Sequence, residues 1–348
     1  MRSALTPTPN QPLNSMSDRI YPLAKPPGHK PPMERWKLEF PDDSITIQTV
    51  YIGIQRHDVT PDSLGSYNEA IHAVQEWLAT LQPENQIPTE KFTFLEGDDT
   101  PESTVWVCYF SNTTTYSTSM HTLSLTETYK ALAKPRNIGL WTEQFTSQTN
   151  RLETNYSGLD YLPGLARLPG SNPIGHKLTA YWGAARDRIP DSGHDLFTRA
   201  SAESTAYPST TPRGLGERLH GQNSYDNLVH IRSGQFWANC TEIERQAYEE
   251  HLEPTLLSGL RYLWCNRDES GAMGLRFLRN GHHTTRSAQS RKRKREKHAQ
   301  QASSVTCRTL KHGRNDTRLI WLSSTGRFAM RRRLVRRGGS GRGMRFLF

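Results

Sequence analysis

The sequence predicts an α+β domain, with ferredoxin-like halves around an antiparallel β-sheet or barrel and helices packed outside. Two observations carry this. Segments rich in β-branched and aromatic residues alternate with segments whose apolar residues recur at helical spacing, and the same rhythm returns in the second half of the chain. A third observation sets the limits: residues 1–34 and 281–348 lack the pattern, leaving 35–280 as the domain.

The first segment holds Pro7, Pro9, Pro12, Pro22, Pro26, Pro27, Pro31 and Pro32 with little apolar content, and reads as an extended, disordered arm. The fold is expected to begin near Trp36. Thr49 to Gln55 reads as a strand. From Ser66 to Leu81, Ile71, Val74, Leu78 and Leu81 mark one face of a helix. Thr104 to Phe110 is a second strand, and Leu123 to Leu132 a helix ended by Lys134-Pro135. In the second half, Lys177 to Ala184 and Asn227 to Arg232 read as strands. A helix follows from about Glu242 to Leu263, opened by a capping box of Thr241 and Glu244 and kinked at Pro254.

With 348 residues and 34% apolar content the chain can bury a sizeable core. Its net charge of +10 is unevenly placed: residues 1–280 carry −7 and residues 281–348 carry +17. The body is acidic and only the tail is basic. Cys108, Cys240, Cys265 and Cys307 lie far apart with no CxxC pair, which predicts free thiols in a reducing compartment and argues against a zinc site. No apolar leader and no run of 18 apolar residues is present, so the expectation is a cytoplasmic protein without a membrane span.

Two stretches carry chemistry: Tyr181-Trp-Gly-Ala-Ala-Arg-Asp-Arg-Ile-Pro190 and Asn227-Leu-Val-His-Ile-Arg-Ser-Gly-Gln-Phe-Trp237. Strand alternation puts Val229, Ile231 and Ser233 on one face, with Leu228, His230 and Arg232 on the other. A hydroxyl ending an apolar row suits a pocket in which one polar group orients a small ligand. A strand that simply ends at Ser233-Gly234 is the plain alternative. The charged triplet Arg186-Asp187-Arg188 issues from an apolar run and so points toward the mouth of a core; a solvated surface pair is the alternative there.

In type, order and spacing these stretches resemble the haem-containing aldoxime dehydratases, in particular phenylacetaldoxime dehydratases of fungal type. The resemblance runs from about Pro32 to Asn280 and includes Leu152-Glu-Thr-Asn-Tyr156 and Leu162-Pro-Gly-Leu165. It implies dehydration of an arylacetaldoxime, R–CH=N–OH, to the nitrile and water, with ferrous haem b as cofactor and a homodimer as assembly. It also implies that Ser233 hydrogen-bonds the oxime hydroxyl. The resemblance makes Arg188 the pocket arginine, an offset of two residues giving Arg186 instead, and Glu153 its ion-pair partner, with a surface carboxylate as the alternative for Glu153.

After Asn280 the resemblance stops. Family members continue with a His-Pro-Thr-His type segment for the proximal haem ligand and a later Trp/Tyr-His-Glu segment for the distal acid. Neither is present here, and His298 and His312 lie in unlike, polar surroundings. The tail from 281 to 348 therefore reads as disordered, or as the product of a shifted frame or mis-joined exon. Its alternative function is electrostatic: Arg291-Lys-Arg-Lys-Arg295 and Arg331-Arg-Arg-Leu-Val-Arg-Arg337 form a basic segment able to bind nucleic acid in a salt-dependent way. A family member that has lost its haem ligands and binds without catalysis is the remaining alternative.

Overall fold

A computed structural model describes residues 19–85, 87–198, 218, 228–236, 241–280 and 300–308. Nine strands are described. A two-stranded antiparallel ribbon pairs β1 (Arg35–Glu39) with β6 (Asn172–His176), Arg35 lying opposite His176. The other seven form one antiparallel sheet in the order β5-β2-β4-β3-β8-β9-β7. Its members are β2 (Thr46–Arg56), β3 (Thr89–Gly97), β4 (Thr104–Phe110), β5 (Ile138–Gln148), β7 (Leu228–Phe236), β8 (Ala272–Asn280) and β9 (Gln300–Arg308).

The sheet curls until its two edges meet. Phe145 on edge strand β5 stacks on His230 of the opposite edge strand β7, ring centroids 4.3 Å apart and planes within 6°. Tyr51 of β2 sets its Oη 2.9 Å from His230 Nε2. Strand alternation then divides the core. Val50, Ile52, Ile54, Trp106, Cys108 and Phe110 face outward under α1 (Pro61–Asn85), α2 (Thr113–Thr122) and α3 (Leu125–Ala131). Ile47, Tyr51, Phe92, Val105, Val107 and Tyr109 line the inner face.

Helix α1 buries Ala70, Val74, Trp77 and Leu81 at helical spacing, and Trp77 donates its Nε1–H to Ser119 O at 3.1 Å to fix α2. Glycine decides one packing detail. Gly53 lies across from Trp141 in the β2–β5 ladder, and a Cβ there would fall 2.0 Å from the indole.

The second helical layer is α5 (Glu242–Ala247), a π-helical turn (Tyr248–Leu252) and α6 (Glu253–Cys265), followed by α7 (Arg267–Ser270). Thr241 and Glu244 form the expected capping box, each backbone N–H bonded to the other's side chain. Instead of a kink at Pro254, the chain widens in the π turn just before it; proline supplies no N–H and its ring crowds the carbonyl four residues back. Leu260 and Leu263 of α6 pack on Leu275 and Phe277 of β8 and on Val229 and Ile231 of β7.

One expected strand is corrected. Lys177 to Ala184 is not extended: β6 ends at His176, Ala180 takes φ +61°, and Gly183 takes φ +91° at the N-cap of a short helix, α4 (Ala184–Arg188). Left-handed backbone excludes a strand there, whatever the apolar composition. Trp182 accordingly stands 67% exposed. Leu123 to Leu132 holds one helix as expected, α3, which Ser124 caps with its Oγ on Glu127 N just after α2 ends at Thr122. Within the segment read as a tail, Gln300–Arg308 is a strand, lying between β8 and β7 and in ladder with both. The arm residues 1–18 and the rest of the tail lie outside the described residues.

Candidate active site

Arg188 ends α4 and is only 5% exposed. Its Nε donates to Glu153 Oε1 in a tight ion pair and its Nη1 to Leu178 O at 2.6 Å. Arg186 lies apart from this pair and turns its Nη2 to the carbonyls of Ser192 and Asp195. Short-helix geometry aims the two arginines apart, and the intervening Asp187 is bonded by Tyr181 Oη at 2.7 Å and by Ala24 N at 3.1 Å. Burial pushes the Glu153 carboxyl up to about 7, even though the Arg188 guanidinium beside it works in the opposite direction. A permanent cation and a carboxyl that titrates near neutrality thus share one dry environment.

Ser233 belongs to another element. It lies on β7, and alternation places it with Val229 and Ile231 on the face that packs toward α6. The opposite face of β7 enters the interior of the curled sheet. There Arg232 meets Glu90 of β3 at 2.6 Å as an ion pair, donates to Tyr109 Oη of β4, and covers the Phe92 ring at 5.2 Å. Gly164, at φ +61°, passes so close that a Cβ would sit 2.9 Å from the Arg232 guanidinium, which explains the glycine in Leu162-Pro-Gly-Leu165. Next to it, burial and the neighbouring Arg232 and Arg276 charges drive His230 down to about 3, so its ring is neutral.

Arg188 and Glu153 are therefore brought together as expected, whereas Ser233 stands on a separate strand. Sequence reasoning missed the interior cluster of Glu90, Tyr109, His230 and Arg232. The alternation in Leu228-Val-His-Ile-Arg-Ser233 was its signal, since two ionisable residues on the face opposite an apolar row need partners wherever that face is buried.

A haem group needs an axial side chain directed into an apolar slot. The described residues do not form such a site. His230 is bonded to Tyr51 and stacked on Phe145. His176 accepts from Leu178 N at Nδ1 and meets Asn155 Oδ1 through Nε2, and His29 meets Thr179 O. His57, His72, His121, His194 and His251 are exposed. The larger described cavity, about 660 Å³, is walled by polar loop residues including Asp58, Thr60, Lys134 and Arg136. His298 and His312 lie outside the described residues.

Residues 50–311 match the family described as haem-containing dehydratase, a match that passes Asn280 and takes in β9. Over 262 residues the chain is 26% identical to phenylacetaldoxime dehydratase of Bacillus sp. (strain OxB-1), covering 73% of this chain and 69% of that protein. It is 26% identical over 257 residues to the aliphatic aldoxime dehydratase of Rhodococcus globerulus, covering 72% and 69% respectively. The fold is also that of an aldoxime dehydratase crystallised in complex with butyraldoxime, with a TM-score of 0.60, 21% identity, and coverage of 83% of this chain and 76% of that one. The chain belongs to the haem-containing dehydratase family and is a lyase of the aldoxime dehydratase type.

Proposed function

We propose that the chain dehydrates an arylacetaldoxime, such as phenylacetaldoxime or indoleacetaldoxime, to the corresponding nitrile. The observation that supports this reading most directly is the buried Arg188–Glu153 pair, at the positions that resemble the family's pocket arginine and its partner. In R–CH=N–OH → R–C≡N + H2O, the aldoxime carbon loses a proton and the departing hydroxyl gains one. Arg188 holds a fixed positive charge suited to polarising the departing oxygen. Ser233 is assigned the hydrogen bond to the oxime hydroxyl, on the β7 face whose Val229 and Ile231 pack with α6. The aryl preference is supported by the substrate in the name of the Bacillus relative, and the aliphatic relatives supply the comparison.

Ferrous haem b is the cofactor assigned here; its axial ligand has to come from outside the described residues. The test is the visible spectrum of the protein expressed with haem supplied, ferric and then reduced with dithionite, followed by phenylacetaldoxime and butyraldoxime in separate cuvettes with nitrile measured by chromatography. A Soret band that shifts with oxime, and nitrile formed faster from the aryl substrate, are expected. A Soret band without nitrile from either oxime overturns the catalytic assignment.

The loss of both family histidine segments from the sequence after Asn280 supports a second reading, a member of the family that keeps the scaffold without binding haem. Lack of any Soret band selects it. Homodimerisation, a cytoplasmic location and nucleic-acid binding by the basic tail remain proposals of the sequence; the last predicts DNA retention that falls steeply with salt.

A further inference from the structure

Strand β7 ends the sheet, with β9 as its ladder partner among the described strands. A strand held along one edge can roll or open locally, so its remaining restraints come from side chains. Its inner face supplies two. His230 crosses the interior to β2, where Tyr51 Oη lies 2.9 Å from its Nε2, and stacks on Phe145 of β5. Arg232 crosses to β3 and β4, pairing with Glu90 at 2.6 Å and donating to Tyr109 Oη, with Gly164 packed against the guanidinium. None of these four strands is a ladder neighbour of β7. The outer face has its own hold, Val229 and Ile231 against Leu260 and Leu263 of α6. Arg232 is the member of both sets nearest to Ser233, and Gly234 on the other side has no side chain.

We propose that Arg232, held by Glu90, is a positioning residue that sets the Ser233 hydroxyl where the oxime hydroxyl binds. The inference rests on the dehydration reading and gives a part in it to the interior cluster, which that reading leaves unused. Alternation turns Arg232 away from Ser233, so it acts through the backbone the two share. A guanidinium presents its donors in a rigid plane, and engaging Glu90 and Tyr109 together fixes both the position and the rotation of the residue that bears it. The side chains of Arg232 and Glu90 are 18% and 4% exposed, so salt screens the pair little. A buried ion pair is often no more stabilising than an apolar pair of its volume, and its contribution here is geometry. A shift of about an ångström takes a hydroxyl out of hydrogen-bond range, and misplacement of that size costs up to about 100-fold in rate.

The experiment has two arms on the full chain. The first needs no turnover: amide hydrogen exchange, read by mass spectrometry, compares the wild type with the double variant Glu90→Leu with Arg232→Met. Peptides covering residues 228–236 should exchange at least about tenfold faster in the variant, with those of β2 and β4 unchanged and a urea midpoint near that of the wild type. The second arm, with haem supplied, measures kcat/KM for the oxime. The double variant should lose about tenfold, Arg232→Lys should keep most of the rate because it retains a charge for Glu90, and the double substitution should cost nothing further in a Ser233→Ala background. Glu90→Gln with Arg232→Gln serves if the apolar pair does not fold. Unchanged exchange in β7, or equal losses of rate with and without the Ser233 hydroxyl, overturns the positioning role. No nitrile from the wild type overturns the dehydration reading and the role of Arg232 in it, while the exchange arm still decides whether the pair holds β7.

Discussion

Glu153→Gln tests the electrostatics of the site most directly. The amide keeps an oxygen to accept from Arg188 Nε and cannot ionise. A carboxyl that titrates near 7 rather than at its ordinary 4.5 holds its proton in the folded chain more tightly by about 3 kcal/mol, at about 1.4 kcal/mol per pH unit. Its side chain is 16% exposed, so solvent screening removes little of this. The sign follows from proton counting. Between pH 4.5 and 7 the folded chain retains a proton that the unfolded chain has released, so stability falls as pH rises, and the loss is complete above 7. His176 and His230 act in the opposite sense. Their folded values of about 4 and about 3 lie below the ordinary 6.5, so the stability they contribute is present above 6.5 and lost as pH falls toward those values. Both chains share the histidines, and the difference between wild type and variant isolates Glu153. Urea unfolding at half-unit steps from pH 4.5 to 8 should show the wild type losing about 3 kcal/mol relative to the variant across that range. A difference that stays constant with pH refutes the account of a carboxyl kept near neutrality by burial.

Three further outcomes follow from the packing. Gly53→Ala forces a Cβ to within 2.0 Å of Trp141, whose ring is held by Arg276 at 4.1 Å, and should cost about 3 kcal/mol by chemical denaturation, recovered in part by Trp141→Leu. Glu90→Gln strips the charge partner from the buried Arg232 and should destabilise by about 3–5 kcal/mol, whereas the apolar pair Glu90→Leu with Arg232→Met should recover most of it; urea midpoints decide. Ser233→Ala should lower kcat/KM for the oxime by about 10- to 100-fold, the loss of one hydrogen bond to the substrate, and an unaltered kcat/KM removes Ser233 from the proposed role.

Much of the scaffold was legible where local pattern and burial agree. The strand at Thr104–Phe110 and the helix behind Ala70, Val74, Trp77 and Leu81 announce themselves because both faces of a central strand, and one face of an amphipathic helix, must be apolar. The Thr241–Glu244 box is visible for the same reason, its partners being three residues apart. The alternation through Val229, Ile231 and Ser233 and the pairing of Arg188 with Glu153 were also readable, the latter through family likeness rather than through spacing.

The remainder depended on contacts between distant residues. Nothing local distinguishes Lys177 to Ala184 from a strand until Gly183 turns left-handed to start α4 and carries Arg188 inward. Strand β9, in a segment whose composition resembles a tail, is assigned by its ladders with β7 and β8, which supply the backbone partners that composition cannot reveal. Arg35 shows the same division. The sequence contains a cation near the start of the domain, but only the fold buries it opposite His176, because the β1–β6 ribbon joins residues more than a hundred positions apart.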